Sequence, residues 1–208
     1  MLRATCSCWR SLIVIRPWAT YGWPFYVPPE VGPYAPDVTD AEAIEAARAA
    51  LAGAAAGLAG TPDEAVADYE PGRRRLGIPR PARLRPVGRA WRLGVLLLSG
   101  NGTVRATGAV TRAVPPGHPG HMATSTEERR EVRAAAFRGP FPQGSTIHLD
   151  APVIDLDGLR GATGPLFLRD DRVLVRWSLS APDDAARELA PYLAERVDLL
   201  LHPPQGAT

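Results

Sequence analysis

Lysine is absent: all 24 basic residues of the 208-residue chain are arginine. Every chemistry that needs an amine able to shed its proton, or to reach a phosphate as a point charge, is thereby removed. A Schiff base, a Ser-x-x-Lys nucleophile pair and a phosphate loop of the Walker type are all excluded. Cysteine is nearly absent as well. Cys6 and Cys8 are the only two, and a single intervening residue leaves little room for an unstrained disulfide. The rest of the chain carries no disulfide and no thiol nucleophile, in keeping with a reducing cytoplasm. No apolar run approaches the ~18 residues a membrane helix needs, so no membrane partner is expected. Gly-x-Ser-x-Gly is missing. Ser99-Gly100-Asn101-Gly102 is glycine-rich, but it precedes a strand pattern rather than a helix, so it is no phosphate cradle. No cofactor and no bound metal are expected.

What is present divides the chain in two. Residues 1–38 hold Trp9, Trp18 and Trp23 together with Pro17, Pro24, Pro28, Pro29, Pro33 and Pro36. So much proline argues against regular structure. The segment reads as an irregular leader, or as an extension upstream of the true start. Residues 39–208 read as one domain.

That domain is organised around Arg89 to Val114. Two apolar runs flank an Asn-Gly pair, the strongest short hairpin signal, because both central residues of a type I′ turn need φ > 0. Trp91, Leu93, Val95 and Leu97 share one face of the first run, and Leu96 and Leu98 the other. Val104 and Val110 lie on one face of the second. Thr39-Asp40-Ala41-Glu42 is a capping box and predicts a helix to about Ala59, with Ile44, Ala47, Leu51, Ala55 and Leu58 as its apolar stripe. Thr61-Pro62-Asp63-Glu64 repeats the signal and predicts a short second helix up to Pro71. A third begins near Ser125 and ends at Gly139-Pro140, with Val132, Ala135, Ala136 and Phe137 on its packing side. Residues 145–156 read as a strand. Leu166 to Leu168 and Val173 to Trp177 flank a turn at Asp170-Asp171, and Asp183 to Leu201 reads as helical. Hairpins dominate and no βαβ repeat appears. The fold class expected is α+β, an antiparallel sheet built from hairpins with helices packed mainly on one face. Trp91, Leu93, Val95, Leu97, Val104, Val110, Leu166, Leu168, Val173, Val175 and Trp177 are expected in the core.

Charge is uneven. Residues 71–126 hold ten arginines and no acid, while the segments on either side are net acidic. Arg73, Arg74 and Arg75 are the candidate partner-binding residues, because a block of one sign is an electrostatic footprint for an acidic partner. Two facts argue against nucleic acid. Asp63, Glu64, Asp68 and Glu70 lie close enough in sequence to neutralise the three, and no aromatic residue stands between Tyr69 and Trp91 to stack a base. The partner expected is a protein or a small molecule, with nucleic acid unlikely.

The four histidines are His118, His121, His148 and His202. His118 and His121 are the candidate catalytic bases, with Asp150 to orient an imidazole. A metal set drawn from His118, His121, His148, Asp150 and His202 is the rival use, but the pair sits on a Pro-Gly loop without a familiar ligand spacing. Asp155 and Asp157 read as solvated.

From Arg85 onward the segments RPVGRAWRLGVLLLSGNG, ATGAVTRAVPPGHPGH, EERREVRAAAFRGPF, GPLFLRDDRVLVRWS and YLAERVDLLLHPPQG together resemble a small actinobacterial family whose members are often called glutaminases. The resemblance covers roughly residues 40–206 and brings no catalytic residue set with it. It implies hydrolysis of L-glutamine to glutamate and ammonia. Without lysine, and with both cysteines outside the resembling region, such a reaction would need His118 or His121 as base, with a hydroxyl or water as nucleophile. Missing catalytic constellations favour a non-catalytic module that binds a protein or ligand. A glutaminase-like amidohydrolase, and binding of nucleic acid or an acidic partner through residues 71–126, are the alternatives.

Overall fold

The computed structural model describes residues 38–75, 78–116, 124–178 and 182–204. The leader, both cysteines, His118 and His121 therefore lie outside the described residues. The first capping signal opens α1 (Val38–Gly57), and every residue of its predicted stripe is buried. Asp40, in its first turn, is buried too, and Arg160 compensates its charge with Nε 2.5 Å from Oδ2.

The second capping signal does not make a helix. The chain there runs as β1 (Glu64–Glu70). It pairs antiparallel with β4 (Arg83–Leu93) on one side and parallel with β8 (Thr146–Leu149) on the other. Its side chains alternate: Ala65, Ala67 and Tyr69 belong to one apolar cluster and Val66 to another. Two ladders and burial on both faces outweigh a helix preference worth only a few tenths of a kcal/mol per residue.

The apolar run from Arg89 to Leu98 is not one strand either. It folds back after Leu93, and β5 (Leu96–Leu98) returns against β4, pairing Leu93 with Leu96 and Trp91 with Leu98. Gly94 makes the turn at φ 65°, and a Cβ there would lie 2.1 Å from the Tyr192 hydroxyl oxygen. The chain then turns through Asn101-Gly102 to β6 (Val104–Ala106) as expected, but only Gly102 has positive φ, 82°, so the turn is not type I′.

β6 and β7 (Ala109–Arg112) act as one bent strand. β7 pairs with β8, and Arg105 of β6 bridges to Val153 in the same antiparallel register. Backbone bonds from Ala106 to Pro152 and from Ile154 to Val104 complete the join. The six-stranded sheet, ordered β6-β5-β4-β1-β8-β7, thus closes on itself. The bend lies where Gly108 meets the kink at Asp150, which has φ 52°. A Cβ on Gly108 would sit 2.0 Å from the Leu149 carbonyl oxygen, so only glycine fits. β1–β8 is the parallel pair in an otherwise antiparallel sheet.

The helices lie against the outer face of this curled sheet. α2 (Thr124–Phe137) packs Ala135 and Ala136 on Ala65, Ala67, Leu84, Ile147 and Leu149. α1 and α3 (Leu189–Leu201) share a larger cluster with Trp91, Leu93, Leu96, Leu98 and Val104. That cluster extends to a second sheet of β9 (Leu166–Arg169), β10 (Arg172–Val175) and β11 (Arg187–Glu188). Asp170 and Asp171 form the predicted turn between β9 and β10, with φ 48° and 56°. The inner face of the curled sheet buries Val66, Ala90, Leu97 and Ala151 without any helix. The architecture is α+β.

Two residues of the expected core are exposed, and a third, Val95 in the β4–β5 turn, is only partly buried. Val110 is 47% exposed, beyond the bend of the sheet, and Trp177 is 55% exposed, past the end of β10. Phe137, the last residue of α2, is also exposed because the packing side ends at Ala136. The helix predicted from Asp183 starts only at Leu189, after a 3-10 turn over Asp183–Ala185. No helix among the described residues is long and apolar enough to cross a membrane.

Candidate functional site

The fold makes two uses of β1's acidic residues, and they define two candidate sites. The first is internal. His148, on β8, points to the same face as Val66, its parallel neighbour, and is fully buried. Its Nε2 lies 2.5 Å from Glu64 Oε2, at the start of β1. Nε2–H donates to the carboxylate, which leaves Nδ1 buried with no partner. The arrangement resembles an oriented imidazole, but only Glu64 reaches solvent, so the ring has no access to a substrate. It ties β8 to β1 instead.

Among the described residues no group of His, Cys, Asp and Glu side chains, His148 and His202 included, is placed to hold a metal ion. Asp150 is exposed at the kink, and His202 pairs with Asp198 at the end of α3, Nδ1 to Oδ1 2.9 Å. His118 and His121, the proposed bases, lie outside the described residues. Asp155 accepts the amide of Asp157, and Asp157 accepts a bond from Arg48 of α1, so both serve local structure.

The second site lies at the other end of β1. The chain leaves β1 as a two-stranded ribbon, β2 (Arg73–Arg75) and β3 (Ile78–Arg80), and returns as β4. The acids expected to neutralise Arg73 to Arg75 are used elsewhere. Across the β1–β4 ladder Glu70 accepts from Arg83 at 2.8 Å, Asp68 from Arg85 at 3.0 Å and Asp63 from Arg89 at 2.6 Å. Glu64 is held by His148. Among the described residues no carboxylate pairs with Arg73, Arg74 or Arg80. The expectation of local neutralisation holds for the ladder arginines and fails for Arg73 and Arg74, the ribbon arginines of that expectation whose side chains are described. Register is the reason, because strand pairing sets Glu70 opposite Arg83 and Asp68 opposite Arg85.

At the foot of the ribbon is a cleft of about 370 Å³, lined by Glu70, Pro71, Arg73, Arg80, Pro81, Arg83 and Arg138. A second hollow of about 400 Å³ shares Arg138 and reaches Tyr69, Arg130 and Glu131. Arg138 sits just past α2 and donates Nε–H to the Ala82 carbonyl at 2.8 Å, which fixes its guanidinium plane. The hydrogen bond from Arg83 holds Glu70 below the usual carboxylate range; burial opposes this, and the charges of Arg83, Arg73 and Arg85 reinforce it. Burial raises the Tyr69 phenol, with Glu131 adding to the effect and Arg138 opposing it. The cleft can therefore hold an anion by guanidinium donors. The sequence pointed to Arg73, Arg74 and Arg75, of which the Arg75 side chain lies outside the described residues, but not to Arg80 and Arg138. Their place depends on a hairpin register and on a helix end that meet only in the fold. Comparison of the chain with protein-family models, with curated proteins and with solved structures gave no match.

Proposed function

We propose that the protein is a non-catalytic cytoplasmic binding module whose ligand is an acidic segment of another protein, met by the β2–β3 ribbon. The observation that supports this is the imbalance just described: Arg73, Arg74 and Arg80 have no carboxylate partner among the described residues, while each acid of β1 is engaged. Exposed guanidiniums keep their charge at any physiological pH and present flat donor forks suited to carboxylates. The lack of any aromatic residue in the sequence between Tyr69 and Trp91 counts against single-stranded nucleic acid.

The test is binding of a fluorescent glutamate-rich peptide to the whole chain. Affinity should fall roughly tenfold between ~50 and ~200 mM salt, as the screening length shortens. It should be lost when Arg73, Arg74 and Arg80 are all changed to Gln. A DNA duplex that binds at ~150 mM salt while the peptide does not would replace the acidic protein with nucleic acid. Glutamine incubated with the protein should release no ammonia. Release abolished by His118→Ala and His121→Ala would favour the amidohydrolase.

A further inference from the structure

We infer that the cleft at the foot of the ribbon is a binding site for a phosphomonoester dianion, held by Arg73, Arg80 and Arg138. This rests on the reading of the ribbon as an anion-binding element and names the group it takes. The ribbon's register sets Arg73 directly opposite Arg80. Like charges in that position destabilise a two-stranded ribbon unless an anion lies between them. Among the described residues no carboxylate forms an ion pair with either, and Glu70, whose carboxylate feels the Arg73 charge, is bonded to Arg83. Arg138 enters from a different element, and with Nε–H committed to Ala82 its terminal nitrogens remain as donors. Glu70 is the acid in the wall, and Arg83 at 2.8 Å and Arg85 at 3.7 Å balance it.

Shape distinguishes the anion. A carboxylate is flat and takes one guanidinium fork along its edge. A phosphomonoester offers three oxygens in a tetrahedral array and carries about −1.5 to −2 charge near neutral pH. Three guanidiniums from a ribbon and a helix end suit the second geometry. A nucleic-acid phosphodiester offers only two free oxygens and a single charge. The cleft, at about 370 Å³, also leaves space for the substituent of the ester. The dianion has two possible sources, a phosphorylated side chain on the acidic partner or a free small phosphate ester.

The experiment is a calorimetric titration of the intact protein with phenyl phosphate, a phosphoserine peptide, its unphosphorylated form, acetate and a DNA duplex. Phenyl phosphate and the phosphopeptide should bind, and acetate should not. Arg73→Gln and Arg138→Gln should each weaken both ligands about tenfold, in line with loss of a charge-assisted bond. Glu70→Gln should tighten them by removing a negative charge from the wall. Arg133→Gln, an exposed charge change on α2 outside the cleft, should leave them unchanged. A phosphopeptide that binds more tightly than phenyl phosphate identifies a protein source, and the reverse order a small ester. Acetate or the duplex binding as tightly as phenyl phosphate, or Arg138→Gln without effect, overturns the assignment. If phenyl phosphate fails while the glutamate-rich peptide still binds through Arg73, the phosphoryl site falls and the ribbon reading stands. If both ligands fail, both fall.

Discussion

Along β4, Arg83 and Arg85 meet carboxylates of β1 and Arg89 meets Asp63 just before it, while on the ribbon enclosed by those two strands Arg73, Arg74 and Arg80 form no ion pair among the described residues. Both groups come from one acid-free stretch of sequence, and both are close to the same four acids along the chain. Strand register separates them. The β1–β4 ladder aligns opposite charges in pairs, whereas the ribbon aligns Arg73 with Arg80. Charge balance in a β-protein is therefore a property of cross-strand partners, and closeness in sequence is a poor guide to it.

That contrast predicts a wide spread of mutational effects, largest beneath the ladder and smallest on the ribbon. Leu97→Ala empties a fully buried position on the inner face of the curled sheet. It should destabilise by about 2–5 kcal/mol in urea melts, and an unchanged midpoint would show that this face is not a packed core. Tyr192→Phe comes next. Its hydroxyl donates to the Leu93 carbonyl at 3.0 Å and accepts the Val95 amide at 3.1 Å, pinning the β4–β5 turn to α3. Leaving those backbone groups unsatisfied should remove about 1–3 kcal/mol, readable as a lower melting temperature.

Acid should also distinguish the two regions. Arg83 holds Glu70 below its ordinary range. The stability this contributes is complete above the ordinary glutamate pKa and is lost as pH falls through the depressed folded value. Wild type should therefore lose more stability than Glu70→Gln between pH ~6 and pH ~3, while Arg74→Gln on the ribbon should follow wild type. Equal losses in wild type and Glu70→Gln would mean that the ladder pair contributes nothing. Smaller still is Arg85→Gln, which breaks an exposed pair worth about 0–1 kcal/mol. At the bottom, Arg73→Gln with Arg80→Gln should leave stability unchanged or raise it by a few tenths of a kcal/mol, because a repulsive cross-strand pair is relieved. A clear loss of stability in that double variant would show that the ribbon arginines are structural.

Local chemistry made part of this fold legible. The Asn101 and Asp170-Asp171 turns, α1 with its stripe and the body of α2 were all readable, because each rests on residues a few positions apart. What escaped depends on distant partners. Thr61 to Glu64 carries the residues of a helix start, yet β4 and β8 recruit the segment that follows as a strand. The leucine run through Leu98 looked like one strand, because nothing nearby reveals that Tyr192 sits against Gly94 and favours a turn there. His148 was readable as a chemically interesting residue, but its burial against Glu64 was not, since the two are 84 residues apart. Arg73 and Arg74 stood out by density of charge. Arg138 did not, because its link to the ribbon runs through the Ala82 carbonyl.

The parallel pair that closes the sheet also sets a timetable. β1 gains its β4 partner from a nearby stretch of chain, but its other edge waits for β8. A ribosome adds about 5–20 residues per second, so the 84 residues from Glu64 to His148 take roughly 4–17 seconds to make. For that interval the nascent meander carries an unpaired strand edge, with Glu64 facing water in place of the imidazole. A charged residue on the inner face of that edge discourages pairing with a neighbouring chain until the correct strand arrives.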